Sequence, residues 1–523
     1  MSKLPKNQAQ LIELWQQVRS AAEEQSKDFG DVALQYHLAE QFGLIEILDQ
    51  AAGKRDQGIS VGLATVLMAI HRNSDPGSKL SLLEWYPNTL LPELTGVPGR
   101  EVTYHDLLSS MDYWNDEAIR KAEKDMVFEL GNTYGIGLHT LIWDSSSCYF
   151  DAQVNEMVKF GHSRDHRPDR PQVGTDMFID PQTGVVPYAR SYEGNVVDVT
   201  RFPQALEDFQ GQYPKLTGLT ILIDRGAVSE KNLVLLRDLD YSVIAGLPQQ
   251  GQWASLTEGA STFDTRFNFK GTRWAAQIEN VSLQGREKEH PFFVHIYFNH
   301  KKAKKEHRLR QKALKACQEE LERLRLGKYQ LKKREQIKTR VNTLLQQHKV
   351  KPFLSVKVVK PRGQDQFHLE IAPKKSALSK ADKRDGRFAL ITDRKALTSK
   401  EVLIEYRSKE KAESAFSILK GPVSLRPVFH YNPQRIKAHV FICYLALFLR
   451  NLLDLILKAK DIDLTPNKAL KKAKKIRITE VYFQDSEYTF WILNHIDPEV
   501  RKIFDAVGFN PQQLLEAAGL SPP

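Results

Sequence analysis

Two short apolar runs, LIWD at Leu141–Asp144 and LTILID at Leu219–Asp224, each place an aspartate directly after residues that call for burial on both faces of a sheet. A carboxylate cannot stay inside such a sheet unpaired, so each aspartate is expected at a strand end or beside a cation. Capping of the following turn or helix would meet the same constraint. Both runs therefore belong to a covered sheet that brings acidic groups to its rim.

The surrounding spacing fills in that sheet. HTLIWD begins one strand, and Thr175–Ile179 and Val185–Tyr192 form two more around a turn at Asp180–Gly184. A helix follows at about 202–210, then LTILID, the helical SEKNLVLLRDL and the short strand YSVIAGL. The order β-β-β-α-β-α-β is that of an α/β, ribonuclease-H-like core. Residues 1–130 read as a helical amino-terminal domain, from periodic apolar positions in LIELWQQVRSAAEE, LAEQFGLIEILDQAA, VGLATVLMAIHR and NDEAIRKAEKDMVFEL.

The core then occupies 131–247, is interrupted by an inserted α+β domain at 248–384, and resumes at 385–460. A carboxy-terminal region, 461–523, has no role assigned from its residues. The insertion is β-rich (RWAAQIENVSL, PFFVHIYF) with a charged helical arm, whose Leu314, Leu321, Leu324 and Leu331 suit a hairpin about Gly327. Between Lys301 and Val350 stand 17 Lys and Arg against 5 Glu, an excess of +12 that exceeds the whole-chain net charge of +11. Such a run is a solvated helix face or an arm lying on phosphates.

Cys148, Cys317 and Cys443 lie far apart and form no CxxC pair, which fits a reducing cytoplasm better than a disulfide or zinc framework. The amino terminus has no apolar h-region, and the apolar run Val440–Leu449 is about half of the roughly 20 residues needed to span a bilayer. Neither export nor a membrane partner is expected. His162 and His166 are four apart in a Pro- and Arg-rich loop, and His295 has the opposite strand parity to His290 and His300, so neither set reads as a metal site. His439 lies on a mostly apolar helix and reads as a hydrogen-bonded core residue.

The stretch YRSKEKAESAFSILKG, Tyr406–Gly421, reads as one helix in which Tyr406, Lys409, Glu413 and Lys420 share a sector roughly 60° wide. Ala412, Ala415, Phe416 and Leu419 form an apolar stripe beside it. A solvated row of charged pairs would look the same. The spacing of the four polar residues resembles the YREK signature of bacterial and archaeal insertion-sequence transposases of the DDE class, with Lys409 where the family usually has arginine. LIWDSSSCYF, LIDRG, GHSRDHRPDRPQ, YEGNVVD and the LRPVFH run are similar to other segments of that family. So is HRNSDPGSKLSLLEWYP, with Arg72 and Asn73 transposed.

The resemblance implies Asp144, Asp224 and Glu413 as catalytic metal ligands, and Tyr406, Lys409 and Lys420 as DNA contacts near the scissile bond. Oxygen ligands select two hard divalent cations, Mg2+ (or Mn2+). It also implies nicking at transposon ends and strand transfer into target double-stranded DNA, by a homodimer or higher multimer, with the amino-terminal region helping to bind the ends. A magnesium nuclease that cuts without joining, and a silent DNA-binding descendant, are the alternatives. No G-x-x-x-x-G-K-[ST] is present, which weighs against an ATP-driven recombinase.

Overall fold

The computed structural model describes residues 22–53, 58–150, 155–325, 333–360, 367–483, 489–517 and 520. Four strands come first: β1 (Ala22–Asp28), β2 (Thr140–Tyr149), β3 (Gln172–Ile179) and β4 (Tyr188–Glu193). They are followed by β5 (Thr220–Ile223), β6 (Ser242–Gly246), β7 (Thr265–Phe269), β8 (Thr272–Gln284) and β9 (Glu289–Phe298). The last are β10 (Leu354–Val359), β11 (His368–Pro373), β12 (Arg387–Thr392), β13 (Arg477–Phe483) and β14 (Thr489–Leu493). The chain is a mixed α/β protein whose compact units divide at Leu219/Thr220 and again at Ser408/Lys409. The first unit takes both ends of the chain and the second takes the middle.

In the first unit the helices predicted for the amino-terminal region form from Gly30 to Tyr134. Gly43, at φ +67°, breaks LAEQFGLIEILDQAA into helices Gly30–Gln41 and Leu44–Ala52. One correction falls here. The stretch ending in SAAEE was read as helix, but Ala22–Asp28 is a strand paired antiparallel with β13, since a partner ladder outweighs weak local propensity. Residues 11–21 of that stretch lie outside the described residues.

These helices pack around the 27-residue helix Pro433–Ala459. That helix is long and apolar enough to cross a membrane by length and composition, but 83% of its most apolar window is buried inside the protein, as a core helix requires. His439 sits on it, 2% exposed, donating from Nε2 to the Leu425 carbonyl at 3.1 Å and facing Lys79 Nζ through Nδ1 at 3.4 Å.

The same unit holds β2, β3 and β4 as an antiparallel ladder in the order β4-β3-β2. The predicted turn after β3 forms as Asp180 Oδ2 accepts from Gln182 N and Thr183 N at 3.1 and 2.7 Å, with Gly184 at φ +79°. Two buried carboxylates sit against this ladder. Glu123 meets Arg190 at 2.8 Å with Gln212 closing the ring, and Asp176 meets Arg201 at 2.8 Å.

In the second unit β5 and β6 run parallel, joined through helix Glu230–Asp238; β12, β9, β8 and β7 then continue antiparallel in that order. Taken through both units, the elements follow the predicted order β-β-β-α-β-α-β. The stretch read as one inserted domain, 248–384, divides in two. Its β7–β9 strands extend the β5–β6–β12 sheet, because Phe293–Phe298 of β9 pairs with the whole of β12. The helices His300–Arg325 and Arg334–Gln347 and the β10–β11 hairpin instead enclose a core of their own, including Leu314, Leu321, Leu324, Val341, Leu344 and Leu354. Gly327 and Leu331 lie outside the described residues.

Candidate active site

Asp144 and Glu413 belong to the first unit, Asp224 and Tyr406 to the second, and each set is built within its own unit. Asp144 was expected where its strand ends. It lies instead mid-strand, opposite Met177, because the ladder with β3 carries β2 through the serine run as far as Tyr149. The demand for a cation is met by Arg164, whose Nη1 stands 3.8 Å from Asp144 Oδ1. Arg164 also donates to Asp198 Oδ2 at 2.5 Å and to the Ser145 carbonyl, while Ser145 Oγ donates to Asp198 Oδ1 at 2.6 Å. The Asp144 side chain remains 27% exposed.

Glu413 lies in the first turn of helix Glu410–Lys420, where an anion suits the positive helix end. Its carboxylate is 60% exposed and 3.4 Å from Lys409 Nζ. The expected apolar stripe, Ala412, Ala415, Phe416 and Leu419, is buried. At the other end of this helix Lys420 Nζ donates to the Ser147 carbonyl of β2 at 2.7 Å and to Asp165 Oδ1 at 2.8 Å. Asp165 also meets Arg426. Lys420 thus ties the helix of Glu413 to the strand of Asp144, three residues along from that aspartate.

Asp224 leaves the sheet directly after β5, as the sequence requires of it, and is exposed. It makes no side-chain cap to the short turn that follows. Tyr406, nearly buried, donates its hydroxyl to Asp224 Oδ1 at 2.8 Å. Burial first, then the neighbouring Asp224 charge, raises the Tyr406 phenol well above its ordinary range, so it stays a neutral donor. Gly246 at the end of β6 makes room for it: a Cβ there would come within 2.3 Å of the Tyr406 hydroxyl.

The single helix predicted for Tyr406–Gly421 is two helices, Ser399–Arg407 and Glu410–Lys420. Ser408 Oγ donates back to the Glu405 carbonyl at 2.6 Å, which competes with the helical ladder. The break coincides with the boundary between the units, so one continuous 60° sector is not what the chain builds. A capping box at Thr398 and Glu401, a spacing local sequence can show, opens the first of these helices.

Sequence reasoning missed Arg164, Asp165 and Gly246. The first two stand in the GHSRDHRPDR segment, whose charge density was the available signal; the close approach at Gly246 left none. The geometry also brings His307, Asp382 and Asp385 together, their ligand atoms all within 4.8 Å. Arg310 already neutralises that group, its Nη2 at 2.6 Å from Asp382 and its Nη1 at 2.7 Å from Asp385. An ion pair accounts for the cluster. His290 pairs with Asp238 and His295 with Ser399, on separate partners, as the strand parity predicts.

No family model matches the chain, and no curated protein matches it. Among solved structures it is similar to the piggyBac transposase in a synaptic complex with hairpin DNA. The identity is 9%, over 96% of this chain and 88% of that one, with a TM-score of 0.37.

Proposed function

We propose that this protein is a DDE-class transposase with a ribonuclease-H-like core, which nicks double-stranded DNA at transposon ends and joins the freed ends to target DNA. The observation that carries the reading is the state of the three acids picked out by the family resemblance. Asp144 and Glu413 are 27% and 60% exposed and Asp224 is exposed, each on or beside a regular element, whereas Glu123 and Asp176 are buried against arginines. Accessible carboxylates held on strands and helices are oxygen donors of the kind hard divalent cations prefer.

Asp144, Asp224 and Glu413 would hold two Mg2+ or Mn2+ ions. When bound, such ions lower the pKa of an attacking water and neutralise the scissile phosphate. The chain's own groups do the rest. Tyr406 fixes Asp224 through its neutral hydroxyl. Arg164 shares charge with Asp144 until another cation replaces it. Lys420 holds the Glu413 helix on β2, and Lys409 stands beside Glu413, able to meet a phosphate. Tyr406 and Lys420 are proposed to serve the DNA through those positions. The working assembly would be a homodimer or higher multimer in the cytoplasm, with the three buried, unpaired cysteines suited to a reducing compartment.

The test is incubation with the inverted-repeat DNA flanking the coding region, with and without magnesium. Magnesium-dependent nicking followed by insertion of the cut ends into a second DNA is the expected result. Cutting without joining would make the protein a nuclease, and binding without cutting a silent descendant.

A further inference from the structure

We propose that the outward face of helix His300–Arg325 is a backbone-reading surface for duplex DNA, separate from the chemistry assigned above. Lys301, Lys304, Lys305, Arg308, Lys312 and Lys315 are all exposed. At about 100° per residue they fall within a sector roughly 100° wide and span about 21 Å of helix axis. Acidic Glu319 and Glu322 end the stripe.

The opposite face explains why these six differ from other cations nearby. Leu314, Cys317, Leu321 and Leu324 are buried in the lobe's own core. Cations of this helix that lie off the stripe are partnered: Arg310 by Asp382 and Asp385, Lys302 by Glu306 at 3.7 Å and by the Phe388 ring at 5.4 Å. Among the described residues none of the six outward cations has an ion-pair partner. These cations of the helix thus divide into a set paired within the protein and a set facing solvent.

Duplex DNA is the occupant the geometry favours. A duplex carries one phosphate charge per roughly 1.7 Å of its axis with both strands counted, so a run of about 21 Å of cations meets a comparable density of phosphates along it. An anionic membrane suits the stripe less, because an interfacial helix needs an apolar face to bury and this one is already spent on the core. The stripe carries no aromatic side chain on which a single strand could stack.

The experiment measures affinity for a random-sequence duplex over a salt series, in chelator and without any transposon end, so it reads this surface whether or not the DDE assignment stands. Replacing all six residues by Gln should weaken binding roughly tenfold to a hundredfold near 0.1 M salt and flatten the log–log salt slope by up to about 5, at roughly 0.9 for each phosphate no longer neutralised. Two half variants, Lys301, Lys305 and Lys312 to Gln, and Lys304, Arg308 and Lys315 to Gln, should each remove about half of that, which guards against a misfolded sextuple variant. An unchanged slope in variants that melt like the wild type would overturn the proposal. So would loss of binding to phosphatidylserine vesicles or to duplex RNA with DNA affinity intact.

Discussion

Glu123 and Asp144 stand in the same compact unit and teach opposite lessons about a carboxylate. Glu123 is 5% exposed, chelated by Arg190 and Gln212, and also accepts from the Ala189 amide at 2.9 Å. Every acceptor position is taken by the fold, as a buried charge requires. Asp144 is 27% exposed and its arginine stands off at 3.8 Å. The first acid is enclosed by the fold; the second, which accepts from the Ser145 amide at 2.8 Å, keeps part of its side chain open to solvent. The comparison breaks if the two kinds of acid respond alike to mutation.

The largest separation is expected from Asp144→Asn. Magnesium-dependent nicking should fall by at least about a thousandfold, on the order of 4 kcal/mol in the barrier, while the melting temperature stays near that of the wild type. Arg190→Ala should do the reverse, costing about 3–5 kcal/mol in a urea titration by stranding the buried Glu123 charge. Replacing Glu123 and Arg190 together by Met should recover much of that loss. A mild Arg190→Ala would mean that the buried ring carries little of the fold.

The pH dependence sharpens the same contrast, since buried bases also pay for charge. His71 is lowered to about 3 and His439 well below its ordinary value, in both cases by burial first and then by neighbouring Arg72 and Lys79. Both stay neutral in the fold, whereas the unfolded chain takes up protons below about pH 6.5, so stability present above that value is lost as pH falls. Asp31, raised to about 6 by burial, acts oppositely between its ordinary 3.8 and 6, because the native state keeps a proton that the unfolded chain releases. At about pH 5 each histidine withdraws at most about 2 kcal/mol, and the pair outweighs Asp31. Thermal melts at about pH 7.5 and 5 should show a drop of several degrees on acidification; a rise would mean that Asp31 outweighs the two histidines.

The smallest expected effect is that of Tyr406→Phe. Losing one hydroxyl that donates to Asp224 should slow nicking roughly tenfold, with stability little changed because Asp224 is exposed. An unaffected rate would remove Tyr406 from the positioning of that aspartate.

Much of this was legible in the sequence. The β-β-β-α-β-α-β order, the turn at Asp180, the capping box at Thr398 and the core histidine His439 follow from local patterns that tertiary structure reinforces. The failures are non-local. Ala22–Asp28 became a strand because β13, some 450 residues away, supplied its ladder. Asp144 moved from strand end to mid-strand because β3 paired beyond it. The YREK-like stretch broke at Ser408, where one side-chain hydrogen bond and a unit boundary coincide. In the inserted helix, composition could give a charge of one sign but not which cations the fold would pair; Lys302 meets Glu306 while Lys301 and Lys304 stay exposed.

The central claim is that Glu413, with the two aspartates, serves metal-dependent chemistry on DNA rather than the stability of its helix. Glu413→Gln, assayed on one preparation for metal-free binding to end DNA and for magnesium-dependent nicking and joining, tests it most directly. Binding should persist or tighten, because a negative charge beside Lys409 is removed at constant size, while nicking and joining collapse together. Nicking and joining at wild-type rates by Glu413→Gln would contradict it.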